Sequence, residues 1–158
     1  MKNLKTIIII SLISSLAIYL VFINTKTQEK TPLYLTSFNL ESLEGEIIDI
    51  DQYIGNPLII NFWATWCKSC KEEMPSLDRL QINPKLINLK VFAINIGKEN
   101  KKKVYEFFKN LDIKNFEPYF DSPTTLAKKF SLRGVPTSIL IDKDGHEFAR
   151  IIGSIDFD

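Results

Sequence analysis

Cys67 and Cys70, the only cysteines in the 158 residues, flank Lys68-Ser69. They stand directly after the apolar run Leu58-Ile59-Ile60-Asn61-Phe62-Trp63-Ala64 and before a helical pattern. A disulfide closes when two Cα atoms lie roughly 4.4 to 6.8 Å apart, and residues i and i+3 of a helical turn are neighbours at about 5 to 6 Å. The pair can therefore open and close a bond with little backbone motion. At a helix start Cys67 faces unpaired backbone N–H groups and the positive end of the helix dipole, which favour a thiolate over a thiol. Lys68 adds a neighbouring cation. Cys70, one turn further in, is expected to be the more buried, resolving thiol that releases a mixed disulfide.

Three plainer readings compete with redox chemistry and fit less well. A structural zinc site needs about four Cys or His ligands, and beyond this pair the chain offers only His146. A static disulfide would close a tiny loop and restrict the unfolded chain little. Two unrelated buried thiols would leave the strand before them and the helix after them without a reason. The expected metal content is none, and no cofactor is expected.

The first residues carry a different signal. Ile7 to Ile23 is a run of 17 residues without a charge, preceded by Lys2 and Lys5 and followed by a polar stretch. At 1.5 Å per residue such a helix reaches about 26 Å, a little under a hydrocarbon core of roughly 30 Å, which leaves both a membrane anchor and a cleaved signal peptide open. The stretch Phe22-Ile23-Asn24-Thr25-Lys26 has no small-x-small cleavage pattern, so a retained anchor is favoured. Residues 1–26 are read as a signal-anchor transmembrane segment, 27–32 as a linker and 33–158 as one globular domain. The leading lysines favour a cytoplasmic N-terminus, which places that domain on the extracytoplasmic side of the cytoplasmic membrane. Disulfides persist there. Residues 27–158 hold 17 basic and 19 acidic side chains, a formal net charge of −2, and nothing in this balance calls for nucleic acid. Lys101-Lys102-Lys103 and Lys128-Lys129 are expected to be solvated helix faces.

Along the domain, Tyr34 to Leu40 and Ile47 to Ile50 are expected to be short strands flanking a Glu44-Gly45 turn. The run 58–64 is predicted to be a strand buried on both faces. Met74, Leu77, Leu80 and Ile82 then recur at helical spacing around Pro75, which is expected to kink that helix. A second buried strand is predicted over 89–96, and the set Val104, Phe107, Phe108 and Leu111 marks an amphipathic helix over 101–111. Residues 118–120 form a short extended piece. A short helix over 123–130 is predicted with Ser122 as N-cap and Pro123 at its first position. Thr137 to Ile141 and Phe148 to Ile152 flank Asp144-Gly145, a strong hairpin signal. The order describes an α/β layer fold around a central sheet.

The stretch Asn61-Phe62-Trp63-Ala64-Thr65-Trp66-Cys67-Lys68-Ser69-Cys70-Lys71-Glu72-Glu73-Met74-Pro75, with Gly134-Val135-Pro136-Thr137 and Ile141-Asp142-Lys143-Asp144-Gly145, resembles the TlpA/ResA-like family of membrane-anchored, thioredoxin-like thiol-disulfide oxidoreductases. The resemblance runs from about Leu33 to Gly153. It implies a thioredoxin-like fold, a central mixed sheet flanked by helices with an N-terminal β-hairpin, behind an N-terminal transmembrane helix. By the same resemblance Cys67 is the attacking, solvent-facing thiol, Cys70 the buried resolving thiol, and the two form the redox-active disulfide. Pro136 takes the place of a proline that follows a cis peptide bond and faces the dithiol, leaving the Val135 backbone to pair with an extended substrate segment. Glu73 takes the place of an acidic residue that assists proton transfer, its alternative being a solvated helix glutamate. Trp66 is expected to shield the thiolate and to offer a flat apolar contact surface.

The chain departs from relatives in three places. Cytoplasmic thioredoxins carry a buried aspartate where Asn61 stands, and asparagine cannot accept a proton in that role, so Glu73 or water must supply any base. Lys68-Ser69 lacks the proline often found before the second cysteine. Relatives continue into a further helix after the glycine matched by Gly153, which leaves one face of the terminal hairpin expected to be uncovered.

The resemblance implies a disulfide-containing protein substrate, with apocytochrome c haem-site cysteines or the copper-site cysteines of cytochrome oxidase foremost, and a membrane thiol electron donor. Two alternatives stand beside it. A copper-binding assembly chaperone on the same fold needs a third ligand, and His146 is expected to lie far from Cys67. A peroxiredoxin-like peroxidase needs a Thr-x-x-Cys type of site, which is missing here.

Overall fold

The computed structural model describes residues 34–35, 37–121 and 126–158. The segments read as anchor and linker lie outside the described residues, as do Ser122 and Pro123, so the transmembrane helix expected above is not part of the observed architecture. Among the described residues no helix is long and apolar enough to cross a membrane.

Strand β3 (Leu58–Trp63) is buried at every position, as its unbroken apolar run requires of a central strand. It pairs in parallel with β4 (Lys90–Asn95) and antiparallel with β6 (Thr137–Ile141). β5 (Pro118–Phe120) extends the sheet beyond β4, followed by β1 (Asn39–Glu41) and β2 (Ile47–Asp49). β7 (Glu147–Ile152) closes the other edge against β6, giving one mixed sheet of seven strands in the order β2-β1-β5-β4-β3-β6-β7. The N-terminal hairpin and the mixed sheet agree with the thioredoxin-like expectation.

The two-residue period of β3 divides its side chains between two cores. Leu58, Ile60 and Phe62 join Phe92, Ile94, Ile139, Phe38 and Phe130 on one face. Ile59, Asn61 and Trp63 alternate with them, and Trp63 shares the opposite core with Met74, Val104 and Phe108. Met74 lies on α1 (Lys68–Gln81), and Val104 and Phe108 on α2 (Lys101–Asn110). The short α3 (Leu126–Lys129) sends Leu126 to the first face. Asn61 thus carries the one polar side chain of β3 towards the helical layer that holds the cysteines.

Several boundaries move. Tyr34 makes only an isolated bridge to His146, and the first strand begins at Asn39. Ile50 opens a 3-10 turn through Tyr53, whose N-cap Asp49 accepts from the Asp51 N–H, so β2 stops at Asp49. α1 is continuous through Pro75. Ile82 is exposed beyond the helix end and is not part of its buried face, because the chain turns at that residue. Asp121 accepts from the Leu126 N–H at 2.7 Å. The hairpin at Asp144-Gly145 is as expected, with Gly145 at φ +83° and a Cβ there meeting the Tyr34 ring at 3.1 Å.

Candidate active site

The active-site helix starts where β3 ends. The Cys67 N–H donates to the Ala64 carbonyl at 3.1 Å, closing a tight turn over 64–67. Cys67 is then the N-cap of α1, and its Sγ accepts from the Cys70 N–H at 3.1 Å. That places Cys67 one position before the helical residues, at their positive end. The two sulfurs form a disulfide with a Cα separation of 5.3 Å. Both cysteines are buried, Cys70 at 1% exposure and Cys67 at 6%. The expected order of burial holds, but Cys67 is less solvent-facing in this oxidised form than its assigned role suggests. It packs in the core that includes Trp63, Met74 and Phe108, with Val135 against the same cluster. Lys68 lies near Glu72 at 3.9 Å with both side chains largely in solvent, where such a pair contributes little.

The Val135–Pro136 peptide is cis, as the resemblance implies, and directly precedes β6. Trp66 is 68% exposed. Its ring is therefore largely open to solvent at the turn beside Cys67.

Glu73 is not a solvated helix glutamate. It is 4% exposed on the inner face of α1, three residues after Cys70. Its Oε1 accepts from Asn61 Nδ2 at 2.6 Å and its Oε2 from the Ile155 N–H at 3.0 Å. Asn61 Nδ2 also donates to Ser138 Oγ at 2.9 Å, which ties α1, β3 and β6 together. Burial pushes the Glu73 carboxyl above its ordinary value of 4.5, and the hydrogen bonds from Ile155 and Asn61 oppose that rise. Because the folded state holds this proton more tightly than the unfolded chain, the associated stability is fully present below about 4.5 and is lost as pH rises through the raised folded value.

The residues after Gly153 cover the helix in an extended strap. Besides the Ile155–Glu73 bond, the Phe157 N–H donates to Ser76 Oγ at 3.1 Å, and Arg79 forks onto the Asp158 carboxylate. Glu73, Ser76 and Arg79 lie three residues apart, so one helix face receives all three contacts. A groove of about 260 Å³ between strap and helix is lined by Glu73, Ser76, Arg79 and Ile155. The strap covers a face of α1, not the hairpin face expected to lack cover, where Phe148 and Ile152 remain exposed.

His146 follows the far end of β6. Ile141 pairs with Leu58 at the start of β3, whereas the dithiol follows the end of that strand, so the imidazole and the sulfurs sit at opposite ends of the sheet. Among the described residues no group of three or more His, Cys, Asp or Glu side chains could hold a metal ion. The copper-chaperone alternative therefore lacks its third ligand among these residues.

Asn61→Asp is expected to set a second carboxylate against Glu73 in a buried site. Two like charges at such a distance cannot both ionise at ordinary pH. The variant should lose stability at neutral pH by roughly 2 to 4 kcal/mol and recover most of it near pH 4, as read from urea midpoints at the two pH values.

A dithiol at a helix N-cap, with Val135 of a cis Val-Pro bond packed against its cluster on a mixed sheet of seven strands among the described residues, defines the thioredoxin-like class. The AhpC/TSA family matches residues 34–146. The chain is 36% identical over 117 residues to the thiol-disulfide oxidoreductase ResA of Bacillus cereus, a stretch covering 74% of this chain and 66% of that protein, just short of two thirds of its length. It is 30% identical over 154 residues to ResA of Geobacillus thermodenitrificans, covering 96% of this chain and 87% of the relative. Its fold is similar to the crystal structure of StoA from Bacillus subtilis, with a TM-score of 0.67, 28% identity and coverage of 80% of this chain and 94% of that one. The chain belongs to the AhpC/TSA family and, within it, to the ResA-like thiol-disulfide oxidoreductases.

Proposed function

We propose that the protein is a thiol-disulfide oxidoreductase that reduces disulfides in partner proteins, tethered by residues 1–26 to the outer face of the cytoplasmic membrane. The observation that carries the reading is the Cys67–Cys70 disulfide at the N-cap of α1, with Cys70 N–H on the Cys67 sulfur. In the reduced protein that N–H and the helix end stabilise a Cys67 thiolate. The thiolate attacks one sulfur of the partner disulfide, forming a mixed disulfide and expelling the partner's other sulfur as a thiolate. Cys70, deprotonated by Glu73, then attacks Cys67, which closes the internal disulfide and releases the partner as a dithiol. Two electrons have moved to the partner, and a membrane thiol donor returns the protein to its reduced form.

The TlpA/ResA-like resemblance of the sequence favours as partners haem-site cysteines of apocytochrome c or copper-site cysteines of cytochrome oxidase. Pro136 and the Val135 backbone would hold the extended substrate segment, with Trp66 as its apolar platform. The reduced full chain, mixed with an oxidised Cys-x-x-Cys-His peptide, is expected to convert one peptide disulfide to a dithiol per protein as Cys67 and Cys70 become a disulfide, counted by mass spectrometry after alkylation. A peptide that stays oxidised against a fully reduced protein would oppose the reductive direction. Resistance of the full chain to alkaline carbonate extraction checks the anchor separately.

A further inference from the structure

Thr65 and Trp66 are the central residues of the turn that delivers Cys67 to the helix, since the turn is closed by Cys67 N–H on the Ala64 carbonyl. Thr65 is held from outside its own element. Its backbone N–H and its hydroxyl both donate to Glu99 Oε1, at 3.1 and 2.5 Å. Glu99 comes from the loop between β4 and α2, 34 residues away in sequence. Hydrogen bonds to a carboxylate are about twice as strong as neutral ones, so this contact fixes the turn more firmly than the turn's own single backbone bond.

The carboxylate reaches Thr65 because residue 97 has no side chain. A Cβ built on Gly97 would lie 1.7 Å from Glu99 Oε2, 2.4 Å from Cδ and 2.6 Å from Oε1. The Glu99 head therefore occupies the space that any side chain at 97 would take. The backbone of Gly97 lies outside the left-handed region, so an alanine there carries no backbone strain and acts only by displacing the carboxylate. Gly97 and Glu99 make a lock and its key.

We infer that Glu99, seated over Gly97, is a positioning residue for thiol-disulfide exchange: it fixes the Thr65-Trp66 turn so that Cys67 and the exposed Trp66 meet a partner in one geometry. This rests on the reading of Cys67 as the attacking thiol. Among the described residues the hydrogen bonds of Glu99 run to Thr65 and none to the sulfurs, so it acts through Thr65. An exchange reaction needs three sulfurs in line, and small misplacements of a reacting group slow such steps steeply.

The test uses the full chain, reduced, with the oxidised Cys-x-x-Cys-His peptide as substrate and iodoacetamide as a small reagent that needs no docking. Glu99→Ala and Gly97→Ala, which reach the same displaced state by different routes, are each expected to slow exchange about tenfold. Glu99→Gln keeps an acceptor oxygen for Thr65 and is expected to restore exchange to within about twofold of wild type. Thermal melts establish which variants are folded, and Gly97→Ala serves if Glu99→Ala is not. Wild-type exchange rates in folded Glu99→Ala or Gly97→Ala, or a folded Glu99→Gln as slow as Glu99→Ala, would overturn the assignment. A wild-type chain that iodoacetamide fails to alkylate at Cys67 would instead count against the functional reading beneath it.

Discussion

Cys70→Ser is expected to accumulate a covalent complex between Cys67 and a partner protein, visible on a non-reducing gel and dissolved by dithiothreitol. The substitution leaves the attacking thiol and removes the one that resolves. In the native protein the resolving cysteine lies on the same helix end, its Cα 5.3 Å from that of Cys67, and its N–H donates to the Cys67 sulfur. Well-placed intramolecular groups act at effective concentrations far above those of free thiols. Replacing Cys70 by external millimolar thiol should slow turnover by on the order of 10³-fold or more. Cys67→Ser, and the double variant, should trap nothing. A folded Cys70→Ser chain that traps no partner in cells would sink the proposed mechanism, and the identity of a trapped partner decides between cytochrome c and oxidase maturation.

The second large effect concerns Glu73. Glu73→Gln is expected to lower the rate of the resolving step by about 10²-fold, the usual scale for losing a positioned proton acceptor. The pH dependence carries the sharper sign. A base works only when ionised, and burial holds this carboxyl above 4.5, so the wild-type rate should fall on the acid side as pH drops through that raised value. Glu73→Gln should be slow at every pH and should lack that limb. Stopped-flow fluorescence of the reduced protein against a peptide disulfide, from pH 4 to 8, reads both features. An acid limb that persists in Glu73→Gln would assign the titration to another group.

The contrast between Cys67 and Glu73 shows what was legible in the residues alone. Cys67-Lys68-Ser69-Cys70 after an apolar strand is a local pattern: spacing fixes the helical separation, and the preceding run fixes a buried strand. The strands and the place of the dithiol follow from periodicity or from motifs of a few adjacent residues, whereas the cis bond before Pro136 was legible only through the family resemblance. Glu73 was legible only as a position, since a glutamate within a helix carries no mark of burial. Its state is set by burial, and against that by Asn61, twelve residues earlier, and the Ile155 N–H, a backbone donor with no side-chain signature. The bonds that Thr65 donates to Glu99 were likewise missed. Its only sequence trace is a glycine two residues before an acid, a pattern too common to carry meaning.

By itself, then, the sequence determined a redox dithiol at a helix start on an α/β sheet, because those features depend on contacts a few residues long. Tertiary structure decided which polar groups surround the elements that carry that dithiol. It turned Asn61 from a missing base into the donor that holds Glu73, laid the strap of 155–158 along the dithiol helix, and brought Glu99 onto the turn before Cys67. The physical reason is common to all three: each is a long-range hydrogen bond in a buried or half-buried setting, and only the assembled sheet and helix bring donor and acceptor together.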